Sequence, residues 1–478
     1  MKVALVPCVA WVKQGVPKAR PDKVKLAKRD IQELIEGARA ETSETSDNDD
    51  EEEPKPAEQG SKPQKKGLRG SAANQLPEKD GEDEGEDKYK MADYDKEDDS
   101  GATSGMSGIA CFASPMEDPL LQHGNADESD EDEDEKEDYE IKPNDNLLVI
   151  GRIVKDEFNL EVWVYNHASN DWYTHHDYIL DAPPLCLETI SYDPGAENPE
   201  HKGNLVAVGT MNAVVNIWDL DLVNAVEPVV TLGDADADSD GSKKKKRKKR
   251  DGSQQGHSDA VLDLAWNKRN EHILASASAD HTVILWDLEE AKISTVLTHH
   301  NEKVQSIEWH PAEDALLLSG SMDGGVTISD CRSTDTVAQW SFEGVEVEQV
   351  LWNHFNPFYF LVAGDDGSIR YCDSRKGNET LTTVDAHGKA GVTGLALSQS
   401  VEGLLTSVGG DDTVKIWKLG KQGEIAFVAD NKPKIGPLHC VRFCPDVGTV
   451  VAVGGEKGDF VRLVDVAKNE TVKTAFDM

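Results

Sequence analysis

Asp280-His281-Thr282-Val283-Ile284-Leu285-Trp286-Asp287 decides the reading of this chain. A turn-forming Asp, a hydroxyl residue and an apolar run closing on Trp-Asp describe a short buried strand entered from a tight turn. Outward from it, Ile273 to Ser278 and Val261 to Trp266 make two more strands, opened by Gly256-His257. The unit then recurs. Trp266, Trp309 and Trp352 stand 43 residues apart, and the same step relates Asp280, Asp323 and Asp366, and Asp287, Asp330 and Asp373. A fixed period of this size means stacked copies of one supersecondary unit, none of which can bury its apolar face alone.

Further copies align on the same turn and ending. They close at Trp218-Asp219, Ser329-Asp330, Cys372-Asp373, Trp417-Lys418 (after the turn residue Asp411) and Val464-Asp465, and the earliest is Val162 to Tyr165. Seven such third strands predict an all-β fold, a seven-bladed β-propeller over residues 141 to 478. The endings resemble those of WD repeats. That resemblance implies a buried hydrogen-bonded chain of a His, a strand hydroxyl, a turn Asp and a Trp. The fullest candidate set is His257, Ser276 or Ser278, Asp280 and Trp286. The trio of His, Ser and Asp has the spacing of the repeat, so it reads as architecture and not as a hydrolase triad.

Six copies contain a first strand and one lacks it. Val6-Pro-Cys-Val-Ala-Trp11 matches Val261-Leu-Asp-Leu-Ala-Trp266 in spacing. The segment from Val3 to Trp11 is therefore expected to complete the blade that holds Val149 and Trp163. This removes exposed sheet edges. Residues 1–36 would hold that strand and a short helix from 22 to 36, capped by Asp22, with Val24, Ala27, Ile31, Leu34 and Ile35 on one face. Thr471 to Phe476 is expected as the outer strand of the last blade, so that the chain ends meet.

The chain has 478 residues and a formal charge of -40, and the charge is clustered. Residues 127 to 138 are acidic except for Ser129 and Lys136. Together with the Glu, Asp, Ser, Pro and Lys that dominate from 37 to 140, they predict a disordered acidic insertion. Ser46 and Ser129 each precede an acid by three residues and are candidate sites for an acid-directed kinase. A second polar insertion, 234 to 255, carries Lys243, Lys244, Lys245, Lys246, Arg247, Lys248, Lys249 and Arg250. Eight consecutive cations suit an import receptor, and also nucleic-acid phosphates, although no aromatic residues are interleaved for base stacking.

Seven scattered cysteines do not form a disulfide framework and point to a reducing compartment. Cys440, Cys444 and His439 lack a second ligand pair, and His175-His176-Asp177 and His299-His300 lack a complementary cluster. The reading predicts no metal, no cofactor, no small-molecule substrate, no membrane span and no enzymatic activity.

Cys8-Val9-Ala10-Trp11-Val12, followed by Gly15-Val16-Pro17-Lys18, a helix from Pro21, the acidic insertion and the tryptophan period together resemble the periodic tryptophan protein 1 family. The resemblance implies a nuclear and nucleolar protein of ribosome production, associated with large-subunit pre-ribosomal RNA processing. It also implies, in animals, links to chromatin and ribosomal RNA transcription. The partners expected from it are ribosome assembly proteins, pre-ribosomal particles and ribosomal RNA. A histone-binding propeller acting on transcription is the second expectation.

Overall fold

Short apolar strands alternate with polar turns throughout the propeller region, and they assemble into seven antiparallel sheets, six of four strands and one of three. The computed structural model describes residues 4–23, 139–195, 202–233, 256–333, 335–457 and 460–478. Each sheet is one blade. Blade 1 contains Ala4–Val12, Asn146–Val154, Glu157–Asn166 and Asp171–Leu180 in that order. Blades 2 to 7 follow at 184–232, 261–297, 304–341, 347–385, 392–431 and 438–465. The proposed short helix, the acidic insertion, the basic run Lys243 to Arg250, Ser46 and Ser129 lie outside the described residues, apart from Asp22 and a few flanking positions. Asp22 makes a parallel bridge with Leu222 of blade 2.

Second strands are buried on both faces and use small residues where neighbouring blades approach. In Ile273–Ser278, Ala275 and Ala277 have no exposure. A Cβ on Gly209 would stand 2.4 Å from Cys186 Sγ and 2.8 Å from Val261 Cγ1 of the next blade, so no larger side chain fits there. Fourth strands carry a recurrent bulge. The register skips one residue at His175, Ser294, Val337, Leu381 and Val428, which adds local twist at the outer edge of the blade.

The N-terminal strand completes blade 1 as its spacing predicts. Trp11 pairs with Leu148, which in turn pairs with Trp163. The two ends of the long insertion close on each other. Ile141 N–H donates to the Ala19 carbonyl at 2.9 Å, and Lys23 Nζ lies 4.6 Å from the centre of the Tyr139 ring. The blade therefore accepts an insertion between its first and second strands without losing register.

The C-terminus departs from expectation. Glu470–Phe476 is an α-helix, not the outer strand of blade 7. Local chemistry explains this. Asn469 caps the helix by accepting from Thr471 N–H, and Glu470 pairs with Lys473 at 2.7 Å. Val472 is fully buried in the cluster that includes Ile416 and Ala429 of blade 6. Phe476 receives the Lys418 ammonium over its ring, and Lys418 Nζ also donates to the Ala475 carbonyl. The expected outer strand is consequently missing from blade 7 among the described residues. The seam is made by the inner strands of blades 1 and 7.

Candidate functional site

Two blades hold complete polar sets. In blade 3, Trp286 Nε1 donates to Ser276 Oγ at 2.8 Å, His257 Nε2 lies 2.7 Å from the same oxygen, and His257 Nδ1 lies 3.0 Å from Asp280 Oδ2. Ser276 is thus the hydroxyl member. Ser278 Oγ instead donates to the Asp259 carbonyl. Blade 6 repeats the arrangement with Trp417, Ser407, His387 and Asp411 at 2.9, 2.8 and 3.0 Å. Burial alone would raise the Asp280 carboxyl. Hydrogen bonds from His257, Thr282 and the Ser258 N–H outweigh it and hold the group well below the usual carboxylate range. The same balance lowers Asp411, through Thr413 and His387.

These trios have the order of a hydrolase triad, but Ser276 and Ser407 are fully buried behind an indole. No reacting atom can approach either hydroxyl. Blade 4 keeps His300, Ser319 and Asp323, yet has Ser329 at the tryptophan position. In blade 5, Asp366 pairs with Arg370 at 2.6 Å.

The tryptophans of the 43-residue step end the inner strands. Trp309 Nε1 donates to the Ala265 carbonyl of blade 3 at 3.0 Å, and Trp11 Nε1 donates to the Arg442 carbonyl of blade 7 at 3.1 Å. Both acceptors stand one residue before the end of the neighbouring inner strand. Trp11 is therefore a working member of the series, and it crosses the seam. Trp266 Nε1 closes its own loop on the Glu271 carbonyl. Trp352 is packed edge-on between His310 and Phe360.

Around the axis, side chains of one inner strand bond the backbone of a neighbouring one. Thr189 Oγ1 donates to the Trp11 carbonyl, and Glu188 accepts from Trp266 N–H. Asp263 accepts from Ile307 N–H at 2.8 Å, Ser306 from Val350 N–H, and Glu308 from Trp352 N–H. Gln349 accepts from Leu395 N–H, and Thr393 donates to the Leu438 carbonyl. With Trp11 on Arg442, all seven junctions are linked. Asp263, Ser306, Gln349, Thr393 and Arg442 line an axial cavity of about 100 Å3. Burial raises the carboxyls of Glu188, Asp263 and Glu308, the last to about 8, against the pull of Arg442 on all three and of Lys268 on the two glutamates. Sequence reasoning missed this ring. Its signal was present, because Asp263, Ser306 and Gln349 keep the 43-residue step, three positions before each tryptophan.

The paired histidines have structural partners. His175 Nδ1 lies 2.7 Å from His176 Nδ1, and His176 Nε2 lies 2.9 Å from the Tyr178 hydroxyl, which donates toward the Asp219 and Leu222 carbonyls. The bulge at His175 brings the two rings together. Cys440 Sγ reaches the Val6 carbonyl, and burial pushes its thiol up to about 12. His439 pairs with Glu456.

Comparison with known proteins agrees with this geometry. The WD domain, G-beta repeat model matches residues 248–287, 291–330 and 378–418. A chain in a crystal structure of a mitotic checkpoint complex superposes with a TM-score of 0.50 at 20% identity, covering 66% of this chain and 83% of that one, a likeness of fold alone. Periodic tryptophan protein 1 of Saccharomyces cerevisiae is 29% identical over 337 residues, 61% of this chain and 56% of its own. The periodic tryptophan protein 1 homolog of Drosophila melanogaster is 36% identical over 478 residues, 99% of this chain and 96% of its own. A likeness that runs through the seam tryptophan, the insertion and every blade places the chain in the periodic tryptophan protein 1 family.

Proposed function

We propose that this protein is a non-enzymatic scaffold of nucleolar ribosome production, acting in large-subunit pre-ribosomal RNA processing by holding assembly factors and pre-ribosomal RNA. The observation that carries the reading is the use of every conspicuous His, Ser and Asp set to fasten blades. Chemistry-bearing residues are consumed as structure, which leaves loop surfaces and insertions to do the work. Strand order puts the junctions of the two insertions with the propeller at opposite ends of the blades. The acidic one joins the first and second strands of blade 1, and the basic one joins the fourth strand of blade 2 to the first strand of blade 3. One molecule can thus offer opposite charge to two partners, with the basic run Lys243 to Arg250 also directing nuclear import.

The test is cross-linking to RNA in cells, followed by purification at two salt concentrations. Enrichment of ribosomal RNA precursors with large-subunit assembly factors supports the scaffold. Contacts made through phosphates fall away steeply as salt rises. Recovery of nucleosomes without ribosomal precursors would replace this reading with a chromatin-binding propeller.

A further inference from the structure

Blade 7 is one strand short. Among the described residues, no strand pairs with the outer edge of its third strand, Val461–Asp465. Hydrogen bonds fix which groups face that edge. Phe460 O accepts from Gly455 N–H and Val466 N–H donates to Thr449 O, so alternate residues of the strand point to the second strand. Between them, Val461 and Leu463 turn their N–H and C=O outward. The segment that follows leaves this edge as the C-terminal helix and packs on blade 6. The effect is visible in burial. Third strands of blades 3 to 5 are buried almost throughout, whereas Leu463 and Val464 remain partly exposed.

We propose that this edge is a docking site for an extended segment of a partner protein, which adds the missing strand antiparallel to Val461–Asp465. The sibling blades specify its side chains. Val461 corresponds to Val283, Val326 and Ile369, and Leu463 to Leu285, Ile328 and Tyr371. Opposite these positions stand Thr295-Val296-Leu297, Ala338-Gln339-Trp340 and Thr382-Thr383-Val384. The last residue of each trio is apolar, and Leu297 and Trp340 are buried, while Val296 and Gln339 are exposed. The partner strand therefore places a small residue opposite Leu463, a solvent-facing residue opposite Arg462 and a large apolar residue opposite Val461. That apolar residue extends the cluster that already joins Val461 and Leu463 to Val9, Trp11 and Leu148. Main-chain bonds supply the affinity and the alternate side chains the selectivity.

The probe is a peptide with the sequence of Lys292–Leu297 (KISTVL), added to the full chain at high concentration. Residue-resolved hydrogen exchange reads the result. We expect the Val461 and Leu463 amides to slow by about tenfold or more on saturation. N-methylation of the peptide at the threonine or the leucine, whose amides face the third strand, abolishes the slowing. N-methylation at the valine between them preserves it. Three results overturn the proposal. One is no change at either amide. Another is equal loss with all three methylated peptides, which indicates side-chain contact elsewhere. The third is slow exchange in the free protein that quickens when residues 470–478 are deleted, which means that the chain's own end occupies the edge.

Discussion

Trp11 offers a direct measure of what the N-terminal strand contributes to the closed ring. Its side chain is 7% exposed and packs in one cluster with Val9, Leu148, Tyr165 and Val450, with the Tyr165 ring 5.8 Å away edge-on. Truncation to alanine removes this packing and the bond to the Arg442 carbonyl, at a cost of about 3–5 kcal/mol. Trp11→Phe keeps most of the ring volume and deletes the indole N–H, which leaves the Arg442 carbonyl without that donor. That change costs about 1–2 kcal/mol. Trp309 makes the same bond within the ring, to the Ala265 carbonyl, but is less buried. Trp309→Ala should therefore cost less than Trp11→Ala, and the two phenylalanine variants should cost similar amounts. Urea unfolding followed by circular dichroism ranks the four proteins. If Trp11→Ala loses under about 1 kcal/mol, or matches Trp11→Phe, the seam is not held by this residue and the ring-closure argument fails.

Ser276→Ala and Ser407→Ala each remove the hydroxyl that accepts from an indole and pairs with an imidazole, so each should cost about 1–3 kcal/mol; equal unfolding midpoints for variant and parent would contradict the tetrad assignment. Gly367 has a φ of +79°, and a Cβ there would stand 1.9 Å from the Gly388 carbonyl oxygen. Gly367→Ala should thus lower the melting temperature by several degrees, while Gly344→Ala, also at positive φ but with open space around it, should have a much smaller effect. Glu308 takes up its proton more readily folded, at about 8, than unfolded, so its charge counts against the fold increasingly as pH rises from about 4.5 to 8. Glu308→Gln should accordingly gain stability relative to the parent across that window and level off above it. The expected gain is about 1–2 kcal/mol, since the Trp352 N–H donates less strongly to the neutral amide than to a carboxylate. A difference independent of pH would assign the proton elsewhere.

Most of the architecture is legible in the sequence because it is carried by side chains at fixed offsets. A Trp-Asp ending marks a third strand whatever surrounds it, and Trp11 identifies a first strand across an insertion of more than a hundred residues. The tetrad could be drawn for blade 3 from the WD-repeat resemblance, with the choice between Ser276 and Ser278 left to the structure. Blade 6 was harder, since His387 precedes Asp411 by 24 residues where His257 precedes Asp280 by 23, and the offset slips. The axial ring was overlooked for another reason, although Asp263, Ser306 and Gln349 keep the 43-residue step. Polar residues at Asp263 and Glu308 look like the solvent face of an alternating strand, and only the neighbouring blade turns that face inward. The C-terminal helix was misread because Thr471 to Phe476 has β-forming residues and sits where a strand was due. Asn469 and the Glu470–Lys473 pair decide the outcome locally, and a buried place for Val472 on blade 6 fixes it.

That misreading bears on how the ring is closed. If the last segment had supplied the outer strand of blade 7, both ends of the chain would serve closure and no edge would remain. Instead the N-terminal strand carries the seam, with Asn146 of the second strand of blade 1 beside it. Cys440 and Trp11 mark two levels of the inner strands, the first reaching the Val6 carbonyl and the second the Arg442 carbonyl. A third tie comes from Asp446 of blade 7, which accepts from Gln14 N–H at 2.9 Å and Asn146 Nδ2 at 2.7 Å. Side-chain and backbone groups of both seam strands are thus engaged near the axis, while the outer edge of blade 7 stays open. The seam's strength and the edge's availability are then separable properties. A mutation at Trp11 should loosen the ring, and one at Leu463 should alter docking while the axial links persist. A propeller that closes with both termini has no such division.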